Sequence, residues 1–162
     1  MNPENIVNLA QHPIQDVQYT QSCKAQLDST GALVMENFLS ADTVKSLQDE
    51  ARKVRPLAFF CHQNHNAYLL DSDASFPEEH IRNLEQQSDK GCVPHDQIPD
   101  NSPLRTLYEW HEFRVFLESV LDVPVFPYAD TLSSININYY ERGQQLGWHY
   151  DNASFAITLM VQ

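Results

Sequence analysis

Residues 131–151 read TLSSININYYERGQQLGWHYD, and this stretch decides the fold. From 131 to 140 the pattern has period two. Ile135, Ile137 and Tyr139 fall on one face of an extended chain, and Asn136, Asn138 and Tyr140 on the other. Glu141-Arg142-Gly143 supplies a turn, with Glu141 and Arg142 solvated there, and residues 145–151 return as a second strand. Residues 155–161 (FAITLMV) start a third. Side chains two apart on a strand point the same way, so His149 and Asp151 share a face.

That spacing has a chemical reading. An imidazole and a carboxylate side by side on a rigid strand supply two of the three ligands of a facial triad around non-haem iron(II), which leaves positions open for a co-substrate and oxygen. His-x-Asp alone is common by chance, and a surface His beside an acid is the plain alternative. Here the surroundings add to it: Asn138 and Tyr140 stand on one face of the preceding strand, and Gly143 at the turn.

The pattern Asn138-x-Tyr140-x-x-Gly143, followed after five residues by His149-x-Asp151, resembles the Fe(II)/2-oxoglutarate-dependent oxygenase superfamily. Its DNA-alkylation-repair branch shares the whole pattern, and prolyl hydroxylases share the part from the tyrosine onward. Tyr128-Ala129-Asp130 and the run Leu146-Gly147-Trp148-His149-Tyr150-Asp151-Asn152 look most like the bacterial free-amino-acid halogenases and hydroxylases, of lysine type. The resemblance implies a double-stranded β-helix, a jelly-roll relative. It further implies iron(II) on His149 and Asp151, and 2-oxoglutarate hydrogen-bonded by Asn138 and Tyr140. Halogenases of that group carry glycine in place of the metal-binding acid, so Asp151 implies hydroxylation. The expected partners are a small amino-acid substrate and molecular oxygen. The superfamily's second iron-binding His and the basic residue that pairs with 2-oxoglutarate lie several strands downstream. Residues 152–162 contain no His, Arg or Lys.

Working outward, residues 31–38 (GALVMENF) read as a short strand. Ser40 looks like an N-cap, with Asp42 in the first helical turn; Val44, Leu47, Ala51 and Val54 follow at helical spacing, and Pro56 stops the run. Leu57-Ala58-Phe59-Phe60 and Tyr68-Leu69-Leu70 suggest strands, residues 77–87 a short helix, and 88–102 a surface loop. The polar residues of 57–102 are candidates for a substrate lid. Pro103, capped by Asn101 or Ser102, opens a second helix with a stripe of Leu104, Leu107, Phe113, Phe116, Leu117, Val120 and Leu121, ahead of Pro124. The fold class is α+β: N-terminal helices packed on the first strands of the double-stranded β-helix. Residues 1–30 form an irregular arm with at most one helical stretch. Residues 31–162 form a partial oxygenase domain, with helical support to 127 and core strands from 128. Gln162 follows an apolar strand with no turn or cap, so the chain reads as a fragment, incomplete at its C-terminus. The fragment is expected to be inactive alone and its parent active.

Composition bounds the rest. The chain has 162 residues, 42% of them hydrophobic and 20% charged, enough for a real core. A formal net charge of −12 disfavours nucleic acid and anionic lipid as partners. No apolar run is long enough to span a bilayer, and the N-terminus lacks a signal-peptide pattern, so cytoplasmic residence is the default. Three cysteines do not make a secreted disulfide framework. Oligomeric state is not legible.

Other groups admit plainer roles beside chemical ones. Cys61, His62, His65, Cys92 and His95 contain enough donors for a zinc-stabilised binding module, although His-Gln-Asn-His in a polar stretch is usually surface. Trp148 alternates away from His149, toward the core or the substrate. Tyr150 and Leu146 have the same claim to the core. Asn152 either lines the substrate mouth or forms a turn. His111 reads as an exposed helix residue, and Trp110 as a packing residue. A catalytically silent oxygenase-like interaction domain is the rival to the enzyme.

Overall fold

Helix formation follows the capping residues. The computed structural model describes residues 2–130, 132–151 and 153–162. Thr131, the predicted start of a strand, and Asn152, the candidate substrate contact, therefore lie outside the described residues. Ser40 caps α2 (Ala41–Val54): its side chain accepts from the Thr43 N–H, and Asp42 sits in the first turn. Asp16 caps α1 (Val17–Thr30) in the same way through the Tyr19 N–H, at 2.8 Å. Gly31 ends α1 in the left-handed conformation, φ 72°, and returns its N–H to the Leu27 carbonyl.

The chain forms two units. The first comprises Met1–Arg55, Pro94–Ile135 and Val161–Gln162. In it α1 packs on α4 (His111–Leu121), and α3 (Pro103–Glu109) packs on α2 and α4. Its core includes Ile6, Val7, Ile14, Leu47, Val54, Leu107, Phe113, Phe116 and Val120. Aromatic rings run through this core: Tyr19 stacks on Phe116 at 6.3 Å between centroids, and Phe38 meets Phe113 at 5.6 Å. Buried His12 donates to the Glu36 carbonyl and accepts from the Tyr19 hydroxyl, at 2.8 and 2.7 Å.

Two expectations change in this unit. Residues 31–38 make no strand, because Gly31 is spent as the cap of α1; pairing is reduced to a single bridge between Val7 and Leu39. The helix expected from 103 onward breaks at Trp110, whose extended backbone (ψ 118°) separates α3 from α4 and whose side chain is buried.

The second unit comprises Pro56–Val93 and Asn136–Met160. It holds a three-stranded sheet in the order β1 (Phe59–His65), β2 (Gln86–Pro94), β3 (Asn136–Tyr139). β1 and β2 are antiparallel, with Phe60 opposite Gly91, Cys61 opposite Lys90 and His62 opposite Asp89. The Phe60 ring lies over Gly91, where an added Cβ would come within 2.6 Å of it, and reaches Tyr139 at 6.5 Å. The predicted alternation holds over the described part: Ile135, Ile137 and Tyr139 are partly covered, and Asn136, Asn138 and Tyr140 exposed. The turn also forms, with the Gln144 N–H donating to Glu141 O and Gly143 at φ 90°.

Four predicted elements here are corrected. Residues 68–70 form a turn around buried Asn66, whose side chain bonds the backbone of Tyr68 and Leu70. Residues 77–85 turn rather than coil into a helix, because the Asn83 amide takes up the carbonyls of Asp73, Phe76 and Pro77. The loop predicted from 88 is strand β2 up to Pro94. Residues 155–161 form no strand among the described residues; the Val161 carbonyl accepts from Gln48 Nε2 instead. Mixed helix and sheet is the architecture seen, and no described helix is long and apolar enough to cross a membrane.

Candidate functional site

The motif residues lie in the second unit, on a strap from 145 to 151 that runs along β2. The expected strand there does not form a ladder, and the reason is local. The Asp89 N–H donates to Gln145 O at 2.7 Å, but the next bonds go to side chains. The Gly147 N–H donates to Ser88 Oγ and the Trp148 N–H to Gln86 Oε1, each at 2.9 Å. The Tyr150 N–H then donates to the Ala67 carbonyl at 2.8 Å. The segment is tied down, but two of its four bonds go to side chains, a hydroxyl and an amide, where a ladder needs carbonyls. Gly147 sits where a Cβ would lie 2.9 Å from both Gln86 Cβ and the Gln87 carbonyl oxygen.

His149 and Asp151 come together: Nε2 stands 3.4 Å from Oδ1. His149 Nδ1 lies 2.8 Å from the Gly147 carbonyl. A carbonyl only accepts, so Nδ1 carries the proton and Nε2 presents its lone pair. Nε2 and the carboxylate oxygen are then two acceptors facing each other, and they repel unless a cation or a further proton lies between them. An imidazole lone pair and a carboxylate are a fitting donor set for iron(II). Two ligands at right angles and about 2.1 Å from one metal stand about 3 Å apart, close to this spacing. Among the described residues no group of three or more His, Cys, Asp or Glu is gathered to hold a metal.

The candidate zinc donors are likewise not gathered into such a group among the described residues. The register sets Cys61 opposite Lys90 and Cys92 opposite Phe59; His65 Nε2 bonds Ser88 Oγ at 2.6 Å, and His95 Nδ1 bonds Ser134 Oγ at 2.5 Å. His62 pairs across the strands with Asp89. The Gln87 amide, then His62, hold the Asp89 carboxyl below the usual range.

Asn138 and Tyr140 share the exposed face of the β3 run. The Asn138 amide donates to Asn136 Oδ1 at 2.8 Å. Tyr140 is half exposed; the covered part of its side chain, then the nearby Cys92 thiol, push its phenol above the ordinary value. Trp148 is not a core residue: it is 85% exposed, and Tyr150 and Leu146 are exposed too. The strap rests on β2 through Gly147 and so turns these large side chains outward. Tyr150 meets Tyr68 at 5.4 Å, and the Arg82 guanidinium lies 4.8 Å from the Tyr68 ring. His111 is exposed on α4, 3.0 Å from Arg114 Nη2.

Sequence reasoning passed over Ser88 and gave His65 only to zinc. His65 meets the His149 ring edge-on at 5.7 Å, and Ser88 is 2% exposed and touches both His65 and the strap. A serine in a polar run carries no signal in the sequence; its role depends on the register of β1 and β2.

An acidic α+β protein with a histidine–carboxylate pair on an extended strap is the class that fold and geometry define. The chain belongs to the Halogenase D family, whose model matches residues 15–162, and so to a halogenase-like group of enzymes. No curated protein and no solved structure matches it.

Proposed function

We propose that this chain carries the metal-binding half-site of an iron(II)- and 2-oxoglutarate-dependent hydroxylase acting on a free, lysine-like amino acid, with a double-stranded β-helix as the complete domain. His149 and Asp151 hold the metal, and Asn138 and Tyr140 orient 2-oxoglutarate. Bound iron with 2-oxoglutarate supplies oxidation of an unactivated C–H, coupled to decarboxylation of the co-substrate to succinate. The chain's own residues do the positioning. The Gly147 carbonyl leaves the His149 Nε2 lone pair free for the metal. The Tyr140 hydroxyl is a donor to a carboxylate.

One observation carries hydroxylation over halogenation: Asp151 is present and faces His149 at 3.4 Å. Halogenases of the group this sequence resembles have glycine there, which frees a position for chloride. The test is mass spectrometry of free amino acids incubated with the protein, iron(II), 2-oxoglutarate and chloride. Gain of one oxygen on lysine or a similar amino acid is the expected result. A chlorinated product would overturn hydroxylation, and no product from any free amino acid would overturn the substrate class.

A further inference from the structure

We propose that Ser88 and His65 are positioning residues that fix, through Gly147, the tautomer and place of the His149 imidazole. This rests on the reading of His149 as a metal ligand. Donors and acceptors alone fix the arrangement. His65 Nδ1 lies 3.0 Å from the Asn66 carbonyl, an obligate acceptor, so Nδ1 carries the proton and Nε2 is a lone pair. Ser88 Oγ, 2.6 Å from that Nε2, must donate its one proton to it. The hydroxyl's remaining lone pairs are then free to accept the Gly147 N–H at 2.9 Å. The Gly147 carbonyl accepts from His149 Nδ1 at 2.8 Å, which leaves His149 Nε2 facing Asp151. Every group in this relay is satisfied in one direction only: from His149 through Gly147 and Ser88 to His65 and Asn66, no donor faces a donor.

Three further observations support a positioning role. Ser88 is enclosed, at 2% exposure, so an unmade bond there would not be replaced by water. The space over Gly147 is closed by Gln86, by the Gln87 carbonyl and by His65 Cε1, 3.3 Å from where a Cβ would stand, so the strap has one seat. The His65 ring meets the His149 ring edge-on, which limits its rotation. Partners that orient a metal-binding histidine through its other nitrogen are commonly worth 10–100-fold in metal affinity.

The experiment uses the 162-residue chain, with ¹⁵N NMR of the imidazoles above their titration range and a Co(II) titration as an iron(II) surrogate. In the metal-free wild type, both His65 and His149 should show a protonated Nδ1 and an unprotonated Nε2. Ser88→Ala should give His149 a mixture of tautomers and weaken Co(II) binding about 10–100-fold. Ser88→Thr, which keeps the hydroxyl, should restore both, and so should His65→Gln, whose amide oxygen can accept the Ser88 proton. A merely structural serine would change stability and leave the tautomer signal alone. An unchanged tautomer and unchanged Co(II) affinity in folded Ser88→Ala would overturn the relay while leaving the metal reading standing. A tautomer shift in a chain whose wild type binds no Co(II) would support the relay and sink the metal reading. Should Ser88→Ala not fold, His65→Leu breaks the relay at a more accessible position and is read by the same two outcomes.

Discussion

Replacing Gly147 by alanine adds one methyl group and tests whether the strap is seated as described. The new carbon would stand 2.9 Å from the Gln87 carbonyl oxygen and from Gln86 Cβ, and 3.3 Å from His65 Cε1. Gln86 and Gln87 belong to β2, which is held by its ladder to β1, whereas the strap is held by isolated bonds. The strap should therefore move. Lifting it breaks the bonds from the Gly147 and Trp148 N–H groups to Ser88 and Gln86. At about 0.5–1.5 kcal/mol each, the loss is about 1–3 kcal/mol. Forcing the methyl in without movement costs a similar amount, about 1–3 kcal/mol, so neither route escapes the penalty. Amide hydrogen exchange measures it locally: protection at 147 and 148 should fall about 10–100-fold, with β1 and β2 little changed. Co(II) affinity should fall with it. Full protection at both amides together with wild-type Co(II) affinity would refute the seating.

Other outcomes follow from the same contacts. With iron(II) and 2-oxoglutarate supplied, Asp151→Gly should abolish the proposed hydroxylation, and product analysis in chloride should show a chlorinated amino acid in its place. Ser40→Ala removes the α2 cap and the bond to the Asn5 carbonyl at 2.8 Å, and should lower unfolding free energy by about 1 kcal/mol in urea titrations. Phe116→Ala empties the aromatic centre of the first unit and should cost about 3–5 kcal/mol by the same measurement. Glu50 accepts from Ser102 Oγ at 2.7 Å, yet burial raises its carboxyl above the usual value. A raised carboxyl pKa favours folding while the group is protonated. Its contribution is therefore full below about pH 4 and lost as pH rises through the folded value. Glu50→Gln keeps the acceptor, so its urea midpoint should fall less over that window than the wild type's.

The sequence was most legible where one residue decides a local structure. Ser40, Ser102 with Pro103, and Gly143 each act through their own backbone neighbours, and each does what its type allows. The period-two run of β3 was equally plain, because alternation survives any partner. Legibility failed where side chains compete with backbone. Asn66 and Asn83 take the bonds that a strand at 68–70 and a helix at 77–87 would need. Gly31 was readable as a strand residue and proved to be a helix cap, a choice settled by Asp16 fourteen residues before α1 ends. The strap at 145–151 shows the limit most clearly. Its pattern is that of a strand, but Ser88 and Gln86 replace the carbonyl partners, and only the β1–β2 register brings them there. The closeness of His149 and Asp151 survived this, because the two side chains still meet at 3.4 Å although the strand ladder does not form.

The proposed function depends on His149 and Asp151 binding one iron(II). Anaerobic titration of the chain with iron(II), followed residue by residue through paramagnetic broadening of its NMR signals, tests it most directly. Broadening should centre on residues 147–151 and reach the neighbouring His65–Ala67 turn, and His149→Ala and Asp151→Ala should each remove it. Broadening centred on Cys61 and Cys92, or a pattern that persists in both variants, would contradict the account.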